Sequence, residues 1–356
     1  MRRIRVLDGW RGIAILLVLV EHLTLNNRQP IYLGSLGVDV FFVLSGYLIT
    51  SRLLIEREKT GTFSLRVFYL RRAFRILPPV AVYLVVLCVL RFFIVTIDVS
   101  ASQIVGSLFF FRNYQFAAHP TGGLTEQFWS LAIEEHFYLL WPIGLLRLGN
   151  RRSLPFAVAL AVASATWRLT LLTHPALRAV MHCVAGGYAS MRTDARMDGL
   201  LVGCLLALLL HQPGVCRFIF RNFPKETPLL AAFVLYMNLL RTHGYPALST
   251  YLLLALMVGS TLVVQEGLAH NWLSASPLVW IGSISYSVYI WQQLFLLHAA
   301  NDYPLGRLSV FPINVVCVVL VASASYWLLE RPSVEFGSRI LHKMGLAGNA
   351  SKSLKR

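Results

Sequence analysis

Residues 7–22 read LDGWRGIAILLVLVEH, an apolar run with Arg11 near its start and His22 at its end. Eleven positions separate these two residues, which is close to three helical turns, so their side chains project about 20° apart on one face. They stand ~16 Å apart along the helix axis. If Arg11 lies at a membrane surface, His22 lies near the middle of a hydrocarbon core roughly 30 Å thick. An ionisable side chain at that depth needs a partner or a function.

The composition is typical of an integral membrane protein. Of 356 residues, 56% are hydrophobic and 13% are charged, and the mean hydropathy is +0.63, whereas soluble domains carry about 25% charged residues. A net charge of +16 would suggest nucleic acid in a soluble protein. Here the basic residues cluster in short gaps between apolar runs, as membrane topology requires. We therefore expect a lipid bilayer as a partner and no nucleic acid.

Ten apolar segments predict an all-α integral membrane protein with a bundle of about ten transmembrane helices. The segments cover about residues 12–25, 37–55, 76–97, 127–148, 154–172, 195–211, 228–240, 248–265, 278–297 and 310–329. This count puts nearly every basic cluster, and both termini, on the cytoplasmic side. We interpret residues 1–335 as the transmembrane domain and residues 336–356 as a basic cytoplasmic tail.

Residues 101–125 are ambiguous, because polar residues and a proline interrupt their apolar stretch soon after it begins. If this segment spanned the membrane, the arginines that follow residue 146 would face outward, against the positive-inside rule. We therefore predict a re-entrant or interfacial segment, which is allowed where protein covers its backbone.

Two ionisable residues fall at similar predicted depths in the membrane. Glu134 is seven residues from the outer end of its span, so ~10 Å deep, and His22 is near the midplane. A carboxylate can fix the tautomer of an imidazole and raise its basicity, which makes a general base. A purely structural pair is the alternative. Glu135 competes for the acidic role, since it projects 100° round the helix from Glu134.

Two further groups of charged residues flank the predicted spans. Arg72 and Arg75 are three residues apart and share a helix face, and Arg11 is predicted on the same side. Their guanidinium groups suit a polyanion because each can bind phosphate with two parallel bonds. Positive-inside topology alone would also explain them.

Two predicted spans begin at the outer end with charged residues. One begins with Asp39, and the other begins with Arg196 and Asp198. They form either a polar cavity for a hydroxyl-rich acceptor or paired charges that brace helix ends. The common nucleotide, zinc-protease and hydrolase motifs are absent. We expect no metal site and no bound cofactor.

Seven stretches, in chain order, resemble the acyltransferase 3 family of membrane acyltransferases. They are residues 7–12 (LDGWRG) with His22, 37–49 (GVDVFFVLSGYLI), 72–75 (RAFR), 128–142 (FWSLAIEEHFYLLWP), 196–203 (RMDGLLVG), 284–291 (ISYSVYIW) and 330–332 (ERP). The resemblance covers nearly the whole chain. We expect no equivalent of the hydrolase-like domain that is fused to some relatives.

The resemblance implies transfer of an acyl group, usually acetyl, from cytoplasmic acyl-CoA to a hydroxyl of a cell-surface glycan or glycoside. It implies that Arg11, Arg72 and Arg75 hold the phosphates of acyl-CoA, with acetyl-CoA as the expected co-substrate. His22 is then the general base or a transient acyl carrier, and Glu134 orients it. We expect a multi-pass protein of a bacterial cytoplasmic membrane. A transporter or flippase of a lipid-linked saccharide is the alternative function.

Overall fold

The computed structural model describes residues 4–24, 33–94, 97–115, 123–185, 188, 191–242, 247–297 and 305–346. Throughout these ranges the regular secondary structure is helical. Strand signals are also weak in the sequence, because its apolar runs are long and lack the alternation of half-buried strands.

The described residues form sixteen α-helices. They are α1 (Arg5–Thr24), α2 (Leu33–Thr60), α3 (Leu65–Phe93), α4 (Ala101–Leu108), α5 (Arg112–Gln115), α6 (Phe128–Thr173), α7 (Pro175–Ala185), α8 (Thr193–Arg196), α9 (Asp198–Leu210), α10 (Pro213–Asn222), α11 (Thr227–Arg241), α12 (Leu248–Val263), α13 (Leu268–Leu273), α14 (Ser276–Leu296), α15 (Ile313–Ser325) and α16 (Arg331–Lys343). A π-helical turn, Tyr326–Glu330, joins α15 to α16.

Each of the ten predicted segments overlaps a helix, and several of these helices are long and apolar enough to cross a membrane. Within the described ranges, four stretches qualify: Leu33–Thr60, Leu65–Phe93, Gly123–Thr173 and Ile313–Lys343. A fifth is added if α9 and α10, which bend by 95° at their junction, form one span. The chain is therefore a helical membrane protein, while the count of ten spans and the cytoplasmic termini stay predictions.

Two predicted segments, 127–148 and 154–172, lie within the single long helix α6. The helix is broken at Gly149, whose φ of 68° and ψ of 176° are not helical. A positive φ is accessible to glycine because it has no Cβ. The predicted boundary between the two segments thus coincides with a kink in α6.

The ambiguous segment 101–125 contains only short helices where it is described. These are α4, α5 and a 3₁₀ turn over Gly123–Thr125, and residues 116–122 lie outside the described residues. At 1.5 Å per residue, the eight residues of α4 extend about 12 Å. Each helix described in this segment is therefore too short to cross a hydrocarbon core of roughly 30 Å by itself.

The helices that position the site pack with their backbones in contact. Helix α1 packs against α2 and α14, and α2 packs against α9. A Cβ atom built on Gly282 of α14 would lie 1.7 Å from the carbonyl oxygen of Asp8 on α1. One built on Gly46 of α2 would lie 1.9 Å from the carbonyl oxygen of Leu200 on α9. These close contacts fix the register of the helices and thus the level of Arg11 and of Asp39.

The predicted boundary between the transmembrane domain and the basic tail falls within α16, which runs continuously past residue 335. Helix α16 packs against α3, and residues 347–356 lie outside the described part of the chain. The division at residues 335 and 336 stays a prediction.

Candidate active site

A cavity of about 110 Å³ lies where α1, α2, α3, α6 and α14 meet. A single buried water needs roughly 10–15 Å³, so this space is larger than a water site. Its charged lining consists of four arginines and two glutamates: Arg11, Arg52, Arg72, Arg75, Glu134 and Glu135. The remaining walls are aliphatic side chains together with Phe41, serines and tyrosines. The structure therefore gathers all three predicted donor-binding arginines into one cavity, which we call the arginine cavity.

The α3 arginines are only partly compensated by acidic groups. The guanidinium carbon of Arg72 lies 4.1 Å from the ring centroid of Tyr138, a cation–π contact. Arg75 lies 3.7 Å, Nε to Oε1, from Glu330 at the end of the π-helical turn. The side chain of Arg75 is 30% exposed. Both guanidinium groups therefore keep donors that can face a ligand in the cavity.

Arg11 is half-buried on α1 and lies within the same electrostatic cluster. The charges of Arg75, Glu330, Asp8 and Glu134 all act on it. Its level in the bundle follows from the tight packing of α1 on α14.

Glu134 lines the arginine cavity together with Ser45. The hydroxyl of Tyr138 donates to its Oε2 at 2.5 Å. The charges of Arg72 and Arg11 act on this carboxylate. Glu135 lines the same cavity and is also close to Arg72. Both candidates for the acidic role therefore line the arginine cavity.

His22 lies elsewhere, in the last turn of α1. Its Nδ1 is 2.8 Å from the carbonyl oxygen of Val18, and His22 is not among the residues that line the arginine cavity. A carbonyl can only accept, so Nδ1 carries the proton in the neutral ring and Nε2 keeps its lone pair. The ring is therefore arranged to accept a proton at Nε2.

The predicted pairing of His22 with Glu134 has no direct contact in the structure. Among the residues described, no hydrogen bond or ion pair joins the two side chains. The charge of His22 acts on the carboxylate of Glu126, just before α6. The depth match between His22 and Glu134 therefore stays a prediction.

A second polar cluster surrounds Glu126 at that end of the bundle. Arg112 on α5 is buried and donates from Nε to the hydroxyl of Thr125 at 3.0 Å. Burial lowers the pKa of Arg112, and the negative charge of Glu126 raises it. Glu21, next to His22, accepts from the backbone N–H of Gly34 at 2.5 Å. Charged groups thus lie at both ends of the face that carries Arg11 and His22.

The predicted outer group forms a closed network of buried ion pairs. Arg196 donates from Nη2 to Oδ1 of Asp39 at 2.7 Å, and the Tyr251 hydroxyl donates to the same oxygen at 3.2 Å. Arg168 binds Asp198 with two bonds, of 2.7 and 2.6 Å. All five side chains are buried. These contacts tie α2, α6, α8, α9 and α12 together and are those expected of paired charges that brace helix ends.

Comparison with known sequences identifies the family to which this chain belongs. The family profile described as "Acyltransferase domain" matches residues 4–330, which include the arginine cavity, His22 and the buried ion pairs. The chain belongs to the acyltransferase 3 family.

Relatives of this acyltransferase 3 chain occur in Staphylococcus aureus. "Putative O-acetyltransferase SACOL0978" of strain COL is 29% identical over 368 residues, which cover 96% of this chain and 59% of the relative. O-acetyltransferase OatA of strain NCTC 8325 / PS 47 is 29% identical over 364 residues, which cover 92% of this chain and 56% of the relative. The chain thus spans somewhat more than half the length of these curated relatives. No solved structure matches it.

Three charged residues of this acyltransferase 3 chain lie outside the roles predicted from its motifs. Arg52 lines the arginine cavity, Arg168 completes the buried network, and the charge of His22 acts on Glu126. Arg52 and Arg168 each stand inside a predicted apolar span, where a charged residue usually marks a partner or a function. That signal was available in the sequence for both. For Glu126 there was none, because it lies outside the predicted spans.

Proposed function

We propose that this protein is a membrane O-acetyltransferase that moves an acetyl group from acetyl-CoA, bound at the cytoplasmic face, to a hydroxyl of a glycan or glycoside. The arginine cavity carries the proposal, because four guanidinium groups in one recess fit the phosphates of a nucleotide donor. The O-acetyltransferase names of the relatives support the same chemistry. We place the protein in the cytoplasmic membrane of a bacterium, with a surface polysaccharide as the class of acceptor.

In this mechanism Arg11, Arg72 and Arg75 hold the phosphates of the donor. The acyl pantetheine arm extends from them along the walls of the cavity toward the level of His22. Nε2 of His22 removes the proton of the acceptor hydroxyl as its oxygen attacks the thioester carbonyl. The carbon–sulfur bond then breaks, and the CoA thiolate takes the proton back from the imidazolium. Transient transfer of the acyl group to Nε2, followed by attack of the hydroxyl, is the second route.

The contacts support a different division of carboxylate roles from the one the motifs implied. We propose that Glu126 stabilises the imidazolium of His22, because the charge of that ring acts on the Glu126 carboxylate. Glu134 instead positions Arg11 and Arg72 beside the donor, because both charges act on its carboxylate. In this assignment the predicted His22–Glu134 pair is replaced by two groups. His22 acts with Glu126, and Glu134 acts with Arg11 and Arg72.

The decisive experiment follows labelled acetyl-CoA with purified protein and a glycan acceptor. We expect wild-type protein to label the acceptor and His22→Ala to lose about 10²–10⁴-fold in kcat, which is the usual contribution of a general base. We expect Glu126→Gln to lower kcat with little change in the KM for acetyl-CoA, and Glu134→Gln to raise that KM. Normal turnover by His22→Ala would refute its role. A flippase would instead move unmodified saccharide without consuming acetyl-CoA.

A further inference from the structure

Arg52 lines the arginine cavity from α2, on the face that also carries Ser45 and Leu48. These three residues are separated by three and four positions, so they form one stripe along the helix. The Arg52 side chain is exposed, whereas Arg11, Arg72 and Arg75 are half-buried. Arg52 is therefore the cavity arginine at the solvent-facing rim.

The electrostatic surroundings of Arg52 differ from those of the other three cavity arginines. Acidic groups act on Arg11, Arg75 has Glu330 within 3.7 Å, and Arg72 acts on both cavity glutamates. In the described part of the chain, Arg52 makes no ion pair with a carboxylate. The charges that act on it are those of Arg72, Arg75, Arg11 and Arg71. Like charges repel at this range, so an anion between them would stabilise the rim.

The positions of the arginines in the cavity favour one orientation of a long bound ligand. Gly34 near the start of α2 donates a hydrogen bond to Glu21, the neighbour of His22, whereas the exposed Arg52 lies 18 residues later, about 27 Å further along the helix. A donor whose reactive end points toward His22 must leave its other end at the rim. In acyl-CoA the thioester is at one end, the diphosphate is in the middle, and the 3′-phosphorylated ribose is at the other end.

We propose that Arg52 is a specificity-determining residue that binds the 3′-phosphate of acyl-CoA, while Arg72 and Arg75 bind the diphosphate. The proposal rests on acyl-CoA being the donor, as in the proposed function. A 3′-phosphate is a monoester and carries a charge of about −1.5 to −2 at pH 7, which suits a guanidinium without an acidic partner. Arg52 would thus let the enzyme distinguish acyl-CoA from its 3′-dephospho form.

The test compares acetyl-CoA with 3′-dephospho-acetyl-CoA as donors for the full-length protein in detergent. We expect wild-type protein to prefer acetyl-CoA in kcat/KM. Arg52→Gln should lower kcat/KM for acetyl-CoA by about 10-fold or more, the usual effect of losing a hydrogen bond between charged groups. It should leave kcat/KM for the dephospho donor within about twofold of wild type. The matched control is Arg66→Gln, which removes an exposed arginine of α3 that does not line the cavity.

The possible results distinguish failure of the proposed Arg52 role from failure of acyl-CoA as the proposed donor. Equal loss with both donors in Arg52→Gln, or equal use of both donors by wild-type protein, would overturn the role of Arg52 while acyl-CoA remains the donor. Failure of wild-type protein to use either donor would overturn the proposed donor and Arg52 with it. Binding of adenosine 3′,5′-bisphosphate and of 5′-AMP, measured by calorimetry, gives a readout that does not depend on turnover. Arg52→Gln should weaken only the binding of the bisphosphate.

Discussion

The arginine cavity and the buried ion-pair network use the same two residue types to opposite effect. In the network, Arg168 and Asp198 are joined by two hydrogen bonds and are almost fully buried, with 4% and 0% of their side chains exposed. In the cavity, four arginines share a recess that reaches solvent at Arg52. The nearest ion pair, Arg75 with Glu330, is longer and partly exposed.

Pairing and burial therefore decide what an arginine does within a membrane bundle. A buried guanidinium whose donors all meet a carboxylate can only brace the helices that carry it, because a ligand would have to break those bonds. A half-buried guanidinium with spare donors attracts an anion. Three experiments test this distinction.

The largest effect is expected from breaking the buried network. Arg168→Met leaves Asp198 as an uncompensated buried charge, which typically costs about 3–5 kcal/mol. We therefore expect a large fall in the free energy of unfolding, measured by denaturant titration in detergent. The double variant Arg168→Met/Asp198→Leu should recover most of it, because removing both charges also removes the desolvation penalty.

The control for this prediction is Arg178→Met, which changes an exposed arginine on α7. Its free energy of unfolding should stay within about 0.5 kcal/mol of wild type. If Arg168→Met were as stable as this control, the network would not brace the bundle.

An intermediate effect is expected from the cavity arginines of α3. Arg72→Ala and Arg75→Ala should each raise the KM for acetyl-CoA by about 10–100-fold, because each removes charge-assisted bonds to phosphate. Their free energy of unfolding should change far less than that of Arg168→Met. A KM for acetyl-CoA equal to that of wild type in both variants would leave these arginines as topology residues only.

The smallest effect is expected from Glu330→Gln. Glu330 competes with a ligand for Arg75, but the guanidinium of this pair is partly exposed, and such pairs contribute about 0–1 kcal/mol. The amide keeps an acceptor for Ser287, which donates to Glu330 at 3.2 Å. We expect the KM for acetyl-CoA to fall by up to about fivefold. A higher KM would mean that Glu330 orients Arg75 for the donor rather than competing with it.

Local patterns in the sequence located most of the helices and several groups of the site. The apolar segments predict helices where the structure has them, and Gly149 marks the break in α6. The spacing of Arg72 and Arg75 places both on one face, and both line the cavity. The depth match between His22 and Glu134 stays a prediction, because in the described residues each side chain has a different hydrogen-bond partner. Depth was counted from predicted span ends, which are uncertain by a few residues, and each residue shifts a side chain by 1.5 Å.

The sequence by itself determined that this is a helical membrane protein and that Arg11 and His22 share one face of its first helix. Both follow from composition and from the 3.6-residue period, which are local properties. Only the tertiary structure placed Arg52 beside the α3 arginines, Glu126 within electrostatic range of His22, and Arg168 against Asp198. The physical reason is that these neighbours belong to different helices. Their register depends on side-chain packing and close backbone contacts, such as that of Gly282 with Asp8, which no local period encodes.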